Sequence, residues 1–195
     1  MNEQEAFWKG TFGTDYAERN QGRVDRNKAM FAKILPKCYG VKRIIELGAG
    51  TGENLAALKE LTPAELWGVE INEMAAQRIP CGNVIRGNAL SFTVPQKCDL
   101  AFTKGFLIHV HPDDLPKAYA KLVECSTRYV LVCEYYNPTP LMVRYRGEND
   151  RLWKRDFAGE LMDAYQLELV DYGFIYHRDL LWPQDDISWF LMERE

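Results

Sequence analysis

No stretch of this chain is apolar for long enough to cross a membrane, which takes roughly 18 consecutive residues. An excess of one charge is missing too. With 24 Lys and Arg against 28 Asp and Glu the net charge is −4, so nothing in the total favours nucleic acid or a membrane surface as partner. The five cysteines, Cys38, Cys81, Cys98, Cys125 and Cys133, are scattered and odd in number. None has CxxC spacing, and His109 and His111 have no partner at a familiar zinc spacing, so neither a disulfide scaffold nor a structural metal is expected. They read as reduced thiols, several of them buried. The opening Met1-Asn2-Glu3-Gln4-Glu5 is acidic where a signal peptide is basic and then apolar, so a cytoplasmic location is expected. Repeats, low-complexity runs and interdomain linkers are also lacking.

What remains is an ordinary globular composition, 47% hydrophobic and 27% charged over 195 residues. One domain spanning 1–195 is expected, and a chain of this size buries roughly 70% of its unfolded surface. Short apolar runs alternate with helical patterns, the signature of βαβ units and a parallel sheet. Strands are expected at 43–47, 65–70, 83–86, 99–103 and 129–134. Helices are expected near 22–35, 53–61, 73–78, 112–124 and 156–165. Residues 167–176 and 187–193 read as a closing antiparallel pair. Residues 135–150 hold two prolines, three tyrosines and two arginines and read as a long functional loop. Residues 1–40 read as a helical cap. Within it the aromatic, glycine-rich run 7–16 either folds over a ligand as a lid, with Trp8, Phe12 and Tyr16 excluding water, or completes the core.

The strongest chemical signal is Glu46-Leu47-Gly48-Ala49-Gly50-Thr51-Gly52 between a strand and a helix. Glycines there let backbone approach a ligand, and the turn aims a helix N-terminus at it. Glu70, about twenty residues on, is placed to accept both hydroxyls of a ribose. A dinucleotide fingerprint would put the third glycine at position 53, which is Glu, and a carboxylate at the mouth would repel a pyrophosphate. S-adenosylmethionine (SAM) has no phosphate and carries a sulfonium and an ammonium, which Glu46 is placed to attract. SAM is therefore preferred to NAD, and no metal is expected.

This loop and its downstream acid resemble motif I of the class I SAM-dependent methyltransferases. The segments FWKGTFGTDYAERN, FTKGFLIHVHPDDL, CEYYNPTPLMVRYRG, KRDFAGELMDAY and WPQDDISWFLMERE resemble the pseudaminic acid biosynthesis-associated methylases. The resemblance implies a three-layer αβα Rossmann-like fold, its seven-stranded sheet mostly parallel with an antiparallel last strand. It also implies a place near nonulosonic-acid sugar chemistry. By analogy Glu46, Gly48, Ala49, Gly50 and Gly52 form the loop around the methionine part of SAM. Glu70 matches the ribose acid and Ile71 the apolar residue beside adenine. Either Asn88 or Ala89 takes the position facing the adenine amino group. Thr103 and Lys104 line the cleft, and Tyr16 and Arg19 close it, Arg19 reaching the SAM carboxylate.

For the acceptor, His109 follows the fourth strand and has an ordinary pKa near 6.5, which suits a general base. It either does that work or caps the following turn, and Glu134 is the second choice. His111, beside Pro112, reads as a cap or surface residue. Tyr135, Tyr136 and Asn137 leave the fifth strand at the same edge and suit a polyhydroxylated substrate. Arg144 and Arg146, in a run with Arg151, Lys154 and Arg155, either hold an anionic sugar acid or sugar nucleotide or form a solvated face. The expected reaction is methyl transfer from SAM to an oxygen or nitrogen of such a molecule. The rivals are a non-catalytic SAM-binding partner of a sugar-modifying complex and an NAD-dependent oxidoreductase. No Asn/Asp-Pro-Pro-Tyr signature of base methylases is present.

Overall fold

A computed structural model describes residues 3–19 and 22–194. The chain opens with α1 (Glu3–Lys9), α2 (Thr11–Arg19) and α3 (Val24–Ile34), then enters the sheet at β1 (Arg43–Leu47). There follow α4 (Glu53–Leu61), β2 (Glu65–Glu70), α5 (Glu73–Gln77), β3 (Asn83–Arg86) and β4 (Cys98–Lys104). Two short 3-10 turns, Leu107–His109 and Pro112–Asp114, lead into α6 (Leu115–Cys125) and β5 (Ser126–Glu134). The chain closes with β6 (Leu141–Met142), β7 (Trp153–Lys154), α7 (Phe157–Tyr165), β8 (Leu167–Ile175) and β9 (Ile187–Arg194).

Seven strands form one sheet in the order β3-β2-β1-β4-β5-β9-β8. The first five run parallel; β9 runs antiparallel to β5, and β8 antiparallel to β9. The central strands are the apolar runs of the sequence, as parallel strands covered on both faces must be. Ile44, Ile45 and Leu47 of β1 and Val130, Leu131 and Val132 of β5 are all buried. Successive side chains alternate between the faces. Ile45, Leu47, Val130 and Val132 meet Leu122, Phe157 and Leu161 of α6 and α7 on one side. Ile44 and Leu131 meet Phe31, Ile34, Leu55 and Leu58 of α3 and α4 on the other. Each such fully buried side chain contributes about 1.5–3 kcal/mol, which fixes the three layers.

One expectation changes. Residues 135–150 are not one loop, because β6 pairs antiparallel with β7 as a separate two-stranded sheet, closed by a turn in which Tyr145 and Glu148 exchange backbone hydrogen bonds at 2.9 Å. The aromatic N-terminal run is helical on both sides of Gly10. Gly13, inside α2, lies against α1 so closely that a Cβ there would sit 1.8 Å from the carbonyl oxygen of Trp8. Among the described residues no helix is long and apolar enough to cross a membrane, and all five cysteines are unpaired.

Gly52 caps α4 at a positive φ of 80°. A Cβ at that position would lie 2.8 Å from Ile79 Cγ2 and 3.0 Å from Pro80 Cδ. Its glycine is thus a packing requirement. Gly52→Ala is expected to cost about 1–3 kcal/mol, from left-handed strain plus overpacking, as read from the urea midpoint at unchanged m-value.

Candidate active site

Strand order reverses between β1 and β4, so the loops leaving their carboxyl ends part and open a crevice. With the loops after β2 and β3, and with α1 and α2 laid across, they enclose a largely apolar cleft of about 890 Å³ counted out to its mouth. Gly48, Gly50, Glu70, Ile71, Asn88, Ala89, Tyr16 and His109 all line it, which brings together residues from the whole first half of the sequence.

The glycine loop is pinned to β2, since Gly48 N and Ala49 N both donate to Val69 O at 2.9 Å. Gly48 has φ 77° and room for no side chain, because Phe106 fills the place of its Cβ. Gly50 differs: at φ 54° a Cβ would meet no atom within 4 Å, so the missing side chain leaves open space at the cleft wall. Ala49 is buried against Gly68 and does not line the cleft. Beside the loop, Glu70 is 8% exposed and accepts from Gly50 N and Asn72 N, each at 2.8 Å. Burial raises its pKa and those N–H groups oppose the rise. The result is a carboxylate held at the cleft with its orientation fixed by the loop. Of the two adenine-side candidates both line the cleft. Asn88 Oδ1 accepts from Leu90 N at 2.8 Å, and its Nδ2 donates to Glu5 of α1 at 2.6 Å.

Besides Ala49 and Gly52, neither of which lines the cleft, four cofactor assignments do not fit this geometry. Glu46 is fully buried on the α3/α4 face of β1, where Asn54 Nδ2 donates to it at 2.6 Å. Burial pushes its pKa up to about 8, so it offers no full negative charge to a cation in the cleft. Thr103 is wholly buried, and Lys104 lines a different pocket. Arg19 is exposed, its guanidinium 5.8 Å from the Phe12 ring centre. Glu53 is not at the mouth either, since its two oxygens accept from Gly22 N and Arg23 N at 2.6 Å. The repulsion argument against a dinucleotide therefore lapses, and the glycine spacing remains.

His109 stands on the 3-10 turn after β4, buried between aromatic rings. Its ring centre lies 4.5 Å from that of Trp8, 5.3 Å from Tyr145 and 6.4 Å from Tyr16. Nδ1 is 2.8 Å from Arg151 O, so the neutral ring donates there and keeps its lone pair on Nε2. Burial pushes its pKa down to about 4. Glu134, expected as an alternative base, is instead buried behind this turn. Its Oε1 accepts from Phe106 N at 3.0 Å and Leu107 N at 3.1 Å, and Oε2 from Ile108 N at 3.4 Å. Burial pushes it up to about 7 against the pull of these donors. It does not line the cleft, and its oxygens are taken up by the backbone that carries His109.

Of the acceptor candidates, Tyr135 is half-buried under Lys154, Tyr136 is exposed beside Phe190, and Asn137 bonds Thr139 O at 2.5 Å. Arg144 and Arg146 are exposed on the β6–β7 turn, Arg146 5.7 Å from the Tyr145 ring centre, and neither lines the cleft. The basic run does not gather: Arg151 pairs with Glu3 and Gln4, and Arg155 with Glu160 at 2.8 Å. His111 caps its turn, as expected, with Nδ1 accepting from Asp113 N at 3.3 Å.

Sequence reasoning missed how the cap is held. Asn72 Nδ2 reaches Trp8 O and Thr14 Oγ1, both at 3.2 Å, while its Oδ1 caps α5. Gln4 Nε2 donates to His109 O at 2.6 Å. The only local signal for Asn72 is a capping residue before an acidic first turn. Among the described residues no group of three or more His, Cys, Asp or Glu is placed to hold a metal.

Solved structures share this architecture from end to end. Magnesium protoporphyrin IX methyltransferase (ChlM) from Synechocystis PCC 6803, with bound SAM, superposes at TM-score 0.71 with 11% identity, over 100% of this chain and 99% of its own. The fold is that of the SAM-dependent methyltransferases. CalS10, an amino pentose methyltransferase from Micromonospora echinaspora, gives 0.67 and 13% identity over 95% and 97% of the two chains. A SAM-dependent methyltransferase from Archaeoglobus fulgidus gives 0.69 and 16% over 94% and 100%. No protein-family model matches the sequence, and no curated protein does.

Burial of His109 has a pH signature. Above about pH 6.5 its ring is neutral in both the folded and unfolded chain. Between about 6.5 and 4 only the unfolded chain takes up the proton, so stability falls as pH drops through that window. The slope is about 1.4 kcal/mol per pH unit for one such group. In urea titrations, the wild-type-minus-His109→Asn stability difference is expected to shrink on acidification. A pH-independent difference would contradict a buried neutral ring.

Proposed function

We propose that the chain transfers a methyl group from SAM to an oxygen or nitrogen of a small anionic acceptor. The observation that carries this reading is the pairing of Glu70 with Gly50 at the wall of an apolar cleft. A ribose-binding carboxylate is set by the backbone of the very loop whose missing Cβ leaves the space beside it. Glu70 would take the ribose hydroxyls, Ile71 with Asn88 and Ala89 the adenine, and Gly48 and Gly50 the methionine portion. SAM supplies a methyl carbon already activated by its sulfonium.

The protein's own residues do the rest. Trp8, Tyr16 and the cap exclude water and align the acceptor. His109 presents the Nε2 lone pair to the proton an acceptor hydroxyl sheds, as a base weakened by its burial. Tyr16, its phenol pushed up to about 12 by burial, remains a donor. Glu134 acts as a positioning residue, fixing the turn on which His109 sits. The acceptor class, a nonulosonic sugar acid or sugar nucleotide, is supported by the five sequence segments that resemble the pseudaminic acid-associated methylases. A cytoplasmic location accords with that reading.

The test is methyl-labelled SAM with a panel of nonulosonic acids, their CMP forms and UDP-linked amino-sugar precursors. A gain of one methyl on one compound is expected. Tight SAM binding without transfer to any acceptor would instead favour the non-catalytic partner. Glu70→Ala is expected to raise the Kd for SAM about 10- to 100-fold, the value of one or two charge-assisted hydrogen bonds. His109→Ala should lower kcat by about 10²–10⁴ with SAM affinity retained. Glu134→Gln should lower kcat about 10- to 100-fold through misplacement of that turn. A His109→Ala loss below tenfold would reduce the ring to packing.

A further inference from the structure

We propose that a second pocket, on the other side of the β4 end, is an anion site that holds the carboxylate or phosphate of the methyl acceptor. It encloses about 570 Å³ and is walled by Arg23, Arg26, Lys104, His177, Gln184 and Asp185. Two guanidinium groups and one ammonium thus share its wall with one carboxylate.

Lys104 is the decisive residue. It ends β4 half-buried at the pocket wall, and neither a hydrogen bond nor an ion pair joins its ammonium to any described residue. Burial lowers its pKa, and the Arg23 guanidinium adds to the effect. The acidic groups whose charge favours its ammonium are Glu46 and Asp185. Glu46 is fully buried, bonded to Asn54 and pushed up to about 8, and Asp185 accepts the Tyr135 hydroxyl. His177 is turned onto Asp186, with Nδ1 2.8 and 2.9 Å from its two oxygens. Gln184 Nε2 donates to Arg26 O at 3.0 Å and holds the 183–185 segment against α3. Setting two guanidinium groups beside a half-buried ammonium carries a cost in mutual repulsion. A ligand with two or three acidic oxygens repays it, and guanidinium forks suit carboxylate and phosphate alike.

The pocket also lies in the right place. Lys104 lines it while the next residue, Gly105, lines the cofactor cleft. Tyr16, which lines the cleft, is close enough to Arg23 and Asp185 for its phenol to sense both charges. An acceptor anchored at Lys104 would extend past Tyr16 toward His109. This pocket takes over the role expected of Arg144 and Arg146, which stand outside both cavities. Assigning the anion to the acceptor rests on the methyltransferase reading; the existence of the anion site does not.

The experiment is calorimetric titration of the full-length protein with pyrophosphate, UDP and N-acetylneuraminate at fixed ionic strength, against sodium chloride. Saturable binding of at least one probe is expected. Lys104→Met should weaken it tenfold or more and the exposed Arg26→Ala severalfold, with the Kd for SAM within twofold of wild type. A response to N-acetylneuraminate alone assigns a carboxylate site, and a response to pyrophosphate and UDP a phosphate site. Absence of saturable binding, or binding that both variants leave unchanged, overturns the proposal. So does a parallel loss of SAM affinity, which would give the pocket to the cofactor's own carboxylate. If Lys104→Met does not fold, Lys104→Arg, expected to keep binding, and Arg26→Ala, expected to weaken it severalfold, carry the test. Anion binding that persists while no acceptor on the methyl-transfer panel reacts would sink the proposed reaction and leave the pocket standing.

Discussion

The site depends on one carboxylate that never touches it. Glu134, at the end of β5, gathers the backbone N–H groups of residues 106, 107 and 108 and so ties the exit of β4 to the neighbouring strand. Everything on the far wall of the cleft follows from that clasp: Gly105 and Phe106 at its floor, His109 on the turn, and the carbonyl to which Gln4 fastens the cap. A turn of this kind leaves unpaired donors at its start. Supplying one buried acceptor for three of them is a rigid solution, because moving the turn would strand both the donors and the acid.

On the near wall the organising group is Glu70, which the glycine loop itself orients. The two acids have opposite neighbourhoods and opposite tasks. Glu70 borders the cavity and retains accepting capacity toward it, whereas Glu134 is surrounded by backbone. Asn72 adds the third tie by joining the β2 exit to α1 and α2. Walls and roof are thus connected through polar contacts between segments far apart in sequence.

That separation explains how much was legible beforehand. The parallel strands, the glycine turn and Glu70 could be read because their signals are local: buried strands are unbroken apolar runs, and a strand-to-helix turn advertises its glycines. An unbroken apolar run, however, hides which face a residue takes. Glu46 and Lys104 were assigned to the cleft when alternation puts them on the other side. Glu134 looked like a base because its partners lie 26–28 residues earlier in the chain, beyond any local pattern. β6 and β7 are two residues each, too short to carry a period. Nothing local shows that Gly13 sits within a helix, where a neighbouring helix needs the space its side chain would fill.

The close approach of α1 and α2 at Gly13 has a kinetic meaning as well as a steric one. Folded back on each other, the two helices form a single plate, fastened over the cleft at Asn72, Asn88, His109 and Arg151. Lifting that plate as one body would break these hydrogen bonds together rather than one by one.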